Sequence, residues 1–162
     1  MALPLVAILC GSPADGAHAE QIADAARSFG CEAVIRIASA HRTPEHALAV
    51  LQSFEAAAAE RPVVVVTVAG RSNALSGFAD PQISVPVIAC PPPSDTHATV
   101  DVWSSLRMPA GVAPVVVLEP VNAAIAAAKM IGLVDPAVRD AVRAYQSKAR
   151  QRVLDGDAAA QL

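Results

Sequence analysis

The segment Val63-Val64-Val65-Val66-Thr67-Val68-Ala69 is apolar at every position but one, and Leu5-Val6-Ala7-Ile8-Leu9-Cys10 is apolar throughout. A strand with one wet face alternates polar and apolar side chains; a strand buried on both faces does not. The two runs therefore predict central strands of a parallel sheet with helices on either side. Further strands are expected at 33–38, 86–90 and 113–118, and helices at 15–29, 44–59, 73–78, 100–108, 121–131 and 136–154. This alternation predicts an α/β fold of three layers, α/β/α, with a central parallel sheet and a C-terminal helix. No repeat or linker divides residues 1–162, so a single domain is expected.

Composition narrows the partners. Of 162 residues 54% are hydrophobic, against about 45–50% in ordinary domains, so a full core is available. Twelve Lys and Arg face 15 Asp and Glu, a net charge of -3. No basic surface for nucleic acid follows from that balance, and a small molecule is the expected partner. Cys10, Cys31 and Cys90 share no metal-ligand or disulfide spacing. The first ten residues carry no basic leader and fall short of the roughly 20 apolar residues of a membrane span, so a cytoplasmic address is expected. Alanine fills many helix positions, while the chain has one Trp, one Tyr and three Phe. The Ala-rich helix faces are accordingly expected to be subunit interfaces of a closed symmetric oligomer; the alternative is that Ala merely fills exposed helix positions.

In a parallel α/β sheet ligands bind beyond the carboxyl ends of the strands, and three loops at such ends carry chemistry. Gly11-Ser12-Pro13-Ala14-Asp15 follows the first strand. Gly11 allows a tight turn and Ser12 donates to an anion, while Asp15 either caps the next helix or binds sugar hydroxyls. This loop is neither a GxGxxG nor a GxxxxGK[ST] motif. Ser39-Ala40-His41-Arg42-Thr43-Pro44 joins the second strand to a helix. Arg42 and Ser39 offer donors for phosphate or carboxylate, and His41 can accept and return a proton near neutral pH. Gly70-Arg71-Ser72-Asn73 follows the third strand and supplies donors to a planar, carboxylated ligand. The run Cys90-Pro91-Pro92-Pro93 stiffens a wall beside them. Cys90 has no activating partner in the sequence, and His18 and His46 read as ordinary surface residues.

Taken in order, GSPAD, SAHRTP, AGRSN, PVIACPP and DVWSSLRMPAGV resemble the PurE family from Val6 to about Leu154. These enzymes are the carboxylases or mutases that form 4-carboxy-5-aminoimidazole ribonucleotide in purine biosynthesis. The resemblance implies a flavodoxin-like subunit, usually one of eight, with active sites between subunits and a C-terminal helix reaching a neighbour. It implies Ser12, Ser39 and Arg42 as phosphate ligands, Asp15 on the ribose, and His41 as the proton-transfer residue. Gly70, Arg71, Ser72 and Asn73 would line the reacting carboxylate and imidazole. Neither a metal nor an organic cofactor is implied. Gly70-Arg71-Ser72-Asn73 and Asp101-Val102-Trp103-Ser104-Ser105 look like class II members, which use carbon dioxide directly. Arg42-Thr43-Pro44 looks more like class I, which rearranges the N5-carboxylated ribonucleotide. Ala14 stands where the family has a second serine, and His97 where relatives often have an aromatic residue. The class I mutase, an enzyme for a different heteroaryl nucleotide, and a noncatalytic nucleotide-binding module are the alternatives.

Overall fold

The structure is a computed structural model, and it describes residues 2–94 and 100–160; His97 lies outside them. Five strands, β1 (Leu5–Cys10), β2 (Glu32–Ile37), β3 (Val63–Val68), β4 (Val87–Ala89) and β5 (Val115–Val116), form one sheet in the order β2-β1-β3-β4-β5. Every neighbouring pair is parallel. The helices are α1 (Gly16–Ser28), α2 (Pro44–Ala57), α3 (Ala74–Ala79), α4 (Trp103–Leu106), α5 (Pro120–Ile131) and α6 (Pro136–Ala160). A short 3-10 turn at Pro13–Asp15 precedes α1, and another at Asp80–Gln82 follows α3. The predicted three-layer, flavodoxin-like arrangement is present.

Period-two geometry explains why β1 has no polar residue. Val6, Ile8 and Cys10 point toward a layer built by α1 and α5, while Leu5, Ala7 and Leu9 point toward α2 and α3. β3 divides in the same way, with Val64, Val66 and Val68 on one side and Val63 and Val65 on the other. Its one hydroxyl, on the fully buried Thr67, donates to the Ile88 carbonyl at 3.4 Å, so the polar atom is not stranded.

Most alanines of α1 and α5 pack inside the subunit, contrary to the interface expectation for those helices, whereas most of those of α6 are exposed. Ala19, Ala23 and Ala26 of α1 are fully buried with Ala123, Ala124, Ala127 and Ala128 of α5, and the two helices lie against each other and the sheet. Small side chains allow that close approach. The exposed apolar residues are different ones: Ile37, Leu118, Leu133, Val134, Val153 and Leu154 are among those at least 45% exposed.

Most elements fall within two residues of their predicted lengths, and three depart further. β5 is limited to two residues, because Pro114 has no N–H to donate and the Leu118 carbonyl is directed at the Cys90 thiol. α4 is a single turn, ending before Pro109. α6 continues past Leu154 through Gly156 to Ala160, helped by Gln151 donating to Asp155 one turn on, at 2.8 Å. Among the described residues, no helix is long and apolar enough to cross a membrane.

Candidate active site

The sheet order makes the gap between β1 and β3 a switch point, because the chain leaves β1 toward β2 on one side and returns to β3 on the other. A cleft of about 610 Å³ opens there. Ser12, Asp15, Ser39, His41, Arg42, Gly70, Arg71, Ser72 and Asn73, the nine residues singled out from sequence, all line it.

The first wall depends on Gly11. Its N–H donates to the Val68 carbonyl at 2.9 Å, and a Cβ on it would lie 3.1 Å from the Ala69 Cβ. Only a residue without a side chain lets the β1 and β3 loops meet this closely. Ser12 is extended and its Oγ accepts the Ala14 N–H at 3.2 Å, which leaves its hydroxyl proton to donate. Asp15 stands at the N-cap of α1 but makes no side-chain cap bond. Burial raises its carboxyl above the ordinary carboxylate value, opposed by hydrogen bonds from the Ser12 and Gly11 backbone.

The second wall is a knotted turn. Ser39 Oγ accepts the Arg42 N–H at 3.2 Å, and Thr43 Oγ1 accepts the Ser39 N–H at 2.9 Å. The Thr43 N–H in turn donates to the Ser39 carbonyl at 2.9 Å. This places His41 and Arg42 at the apex, both exposed in the single chain. Thr43 is a positioning residue that sequence reading missed, because Thr before a helix signals a cap, and here its hydroxyl turns back to Ser39 instead.

The third wall is the turn from Gly70 to Asn73, closed by the Asn73 N–H on the Gly70 carbonyl at 3.2 Å. Asn73 is 2% exposed, and its Nδ2 donates to the buried Ser105 Oγ at 2.6 Å. Pro92, Pro93 and Ser94 form the remaining side. Among the described residues, neither the Arg42 nor the Arg71 guanidinium is in an ion pair. Two cationic groups, an imidazole and several neutral donors around one carboxylate suit a ligand with a phosphate at one end and a carboxylate at the other.

His18 is not the surface residue expected. It is half-buried behind the cleft with Nε2 3.3 Å from Cys90 Sγ, joining the first turn of α1 to the end of β4. Cys90 therefore has an imidazole beside it after all. The thiol is still no nucleophile: burial, then the Glu119 carboxylate, push it up to about 12, and burial lowers His18. Cys10 behind Asp15 is likewise pushed up to about 12, by burial first. Among the described residues, no three His, Cys, Asp or Glu side chains gather as metal ligands.

The chain has close relatives. Residues 5–152 match the AIR carboxylase family model. The chain is 49% identical over 154 residues to a phosphoribosylaminoimidazole carboxylase of Treponema denticola, covering 95% of this chain and 96% of that protein. It is also 49% identical over 150 residues to a phosphoribosylaminoimidazole carboxylase of Archaeoglobus fulgidus, covering 93% and 81%. A crystal structure of a Treponema denticola PurE2 variant superposes with a TM-score of 0.93 at 48% identity, covering 98% of each chain. With its loops, sheet order and full-length similarity in agreement, the chain belongs to the AIR carboxylase family.

Proposed function

We propose that this chain carboxylates 5-aminoimidazole ribonucleotide at C4 with carbon dioxide, giving 4-carboxy-5-aminoimidazole ribonucleotide. The observation that carries the reading is the convergence of three loops on one cleft at the switch point, in a chain whose relatives are named as phosphoribosylaminoimidazole carboxylases. Ser12, Ser39 and Arg42 hold the phosphate and Asp15 the ribose hydroxyls. The 5-amino group pushes electron density to C4, which attacks carbon dioxide and forms the new C–C bond. His41 then takes the C4 proton and aromaticity returns; in the reverse direction it gives the proton back. Donors of Gly70, Arg71, Ser72 and Asn73 stabilise the carboxylate as it forms.

His41 and Arg42 lie open to solvent in the single chain, whereas carboxylation by a weakly bound gas needs an enclosed site. Together with the exposed apolar residues, this supports a homo-oligomer in which a neighbouring copy covers the cleft, eight copies being the size usual in the family.

The test is the initial rate on 5-aminoimidazole ribonucleotide with bicarbonate varied and carbonic anhydrase present, against the rate on the N5-carboxylated ribonucleotide. Faster, carbon dioxide dependent use of the first compound is expected. Faster use of the second would make the chain a mutase, the reading favoured by Arg42-Thr43-Pro44, and turnover of neither would point to another heteroaryl nucleotide. His41→Asn is expected to fold, keep much of the ligand affinity and lose at least roughly 100-fold in rate.

A further inference from the structure

Arg71 and Asn73 both have positive φ, 58° and 24°, in the turn that lines the cleft. A residue with a Cβ stays in that region only where its surroundings hold it there. Besides the Asn73 N–H bond that closes the turn on the Gly70 carbonyl, α4 supplies two holds. The Ser104 hydroxyl lies 3.1 Å from the Arg71 carbonyl and 2.7 Å from the Asp101 carbonyl of its own turn, so its proton is shared between them. Ser105, 1% exposed, accepts from Asn73 Nδ2 at 2.6 Å. Asn73 Oδ1 has no partner among the described residues, so Ser105 is the only group there that satisfies the buried amide. Neither serine lines the cleft.

We infer that Ser105, with Ser104 beside it, is a positioning residue that keeps the turn from Gly70 to Asn73 in its strained form before substrate arrives. The turn is thereby set in advance for the developing carboxylate, an inference that rests on the proposed carboxylation for which group it receives. Electrostatic stabilisation is most effective when the donors need not reorganise during the reaction. Losing the Ser105 hydroxyl therefore affects the reacting end of the ligand rather than the phosphate end, which is held by Ser12, Ser39 and Arg42 on other strands.

Two measurements test this. In Ser105→Ala, backbone amide exchange at residues 71–74 is expected to speed up by about tenfold, the loss of one net hydrogen bond, while β1 and β3 keep their protection. Unchanged exchange in that turn would overturn the inference whatever the enzyme's substrate. In carboxylation assays, kcat is expected to fall about tenfold and the requirement for bicarbonate to rise, while KM for the ribonucleotide stays within about twofold. Ser105→Thr, which keeps the acceptor, should restore the rate, and Ser104→Ala should show the same pattern more weakly if Ser105→Ala does not fold. A wild-type kcat in folded Ser105→Ala would sink the idea. A wild-type protein inactive on the ribonucleotide would refute the proposed function alone, since the exchange measurement still decides the role of Ser105.

Discussion

Asp15 illustrates what binding residues do to folding. Its carboxyl is raised above the unfolded value by burial, so the folded chain holds that proton more tightly than the unfolded chain does. Linkage fixes the sign: its contribution to stability is present below the unfolded value and is lost as pH rises through the folded one. Above the folded value the ionised side chain is thus a burden on the free protein, one that the proposed ribose contact would account for. Asp15→Asn is expected to raise the melting temperature at pH 7, to flatten the loss of stability above the acid range, and to weaken the ribonucleotide; a lower melting temperature at pH 7 would contradict this. The residues whose place in the cleft was legible in the sequence were those set by type and position in a strand-end loop, such as Ser12, His41 and Arg42. Thr43, bonded to Ser39 four positions away, was missed for its local geometry; the others that were not legible depend on long-range contact. His18 and Cys90 are 72 positions apart, and Asn73 and Ser105 are 32 apart. No local pattern announces such a pair.

At the scale of elements, β1 and β3 were readable because burial on both faces removes polar residues from a strand. The edges were less readable. β2 carries exposed Arg36 and Ile37, and β5 is cut short by Pro114, whose missing donor outweighs the apolar character of its neighbours. Helix α6 outran its predicted end because a single Gly156 costs about 1 kcal/mol against Ala, which three following alanines and the Gln151–Asp155 bond offset. The close junction of the β1 and β3 loops gives a direct prediction. Gly11→Ala puts a methyl 3.1 Å from the Ala69 Cβ, so the two loops must part by a few tenths of an ångström. We expect a loss of about 1–3 kcal/mol in urea unfolding, as for other overpacked sites, together with weaker ribonucleotide binding. Unchanged stability and affinity would show that the loops can separate freely.

On the scale of the whole molecule, α6 is the outlying feature. Of its 25 residues only Val138 and Val142 are buried, and Tyr145, edge-on to Phe29 with ring centroids 5.4 Å apart, is its last described ring contact with the body. Beyond it, residues 146–160 are exposed on every face and extend about 22 Å at the helical rise. An unsupported helix of about 12–15 residues is marginal in water, and this segment carries exposed Val153 and Leu154. Its distal half therefore has a helical form that association with another copy would complete. Light scattering is expected to return a multiple of the 16.6 kDa chain mass, and ellipticity at the helical band is expected to weaken on dilution as that half melts. A monomer with undiminished helix would refute the coupling. Under this coupling the protein's own concentration acts as a ligand for its last four turns, through the same mass-action logarithm that governs any binding equilibrium. A cell that makes too little of this chain would then lose activity faster than it loses protein.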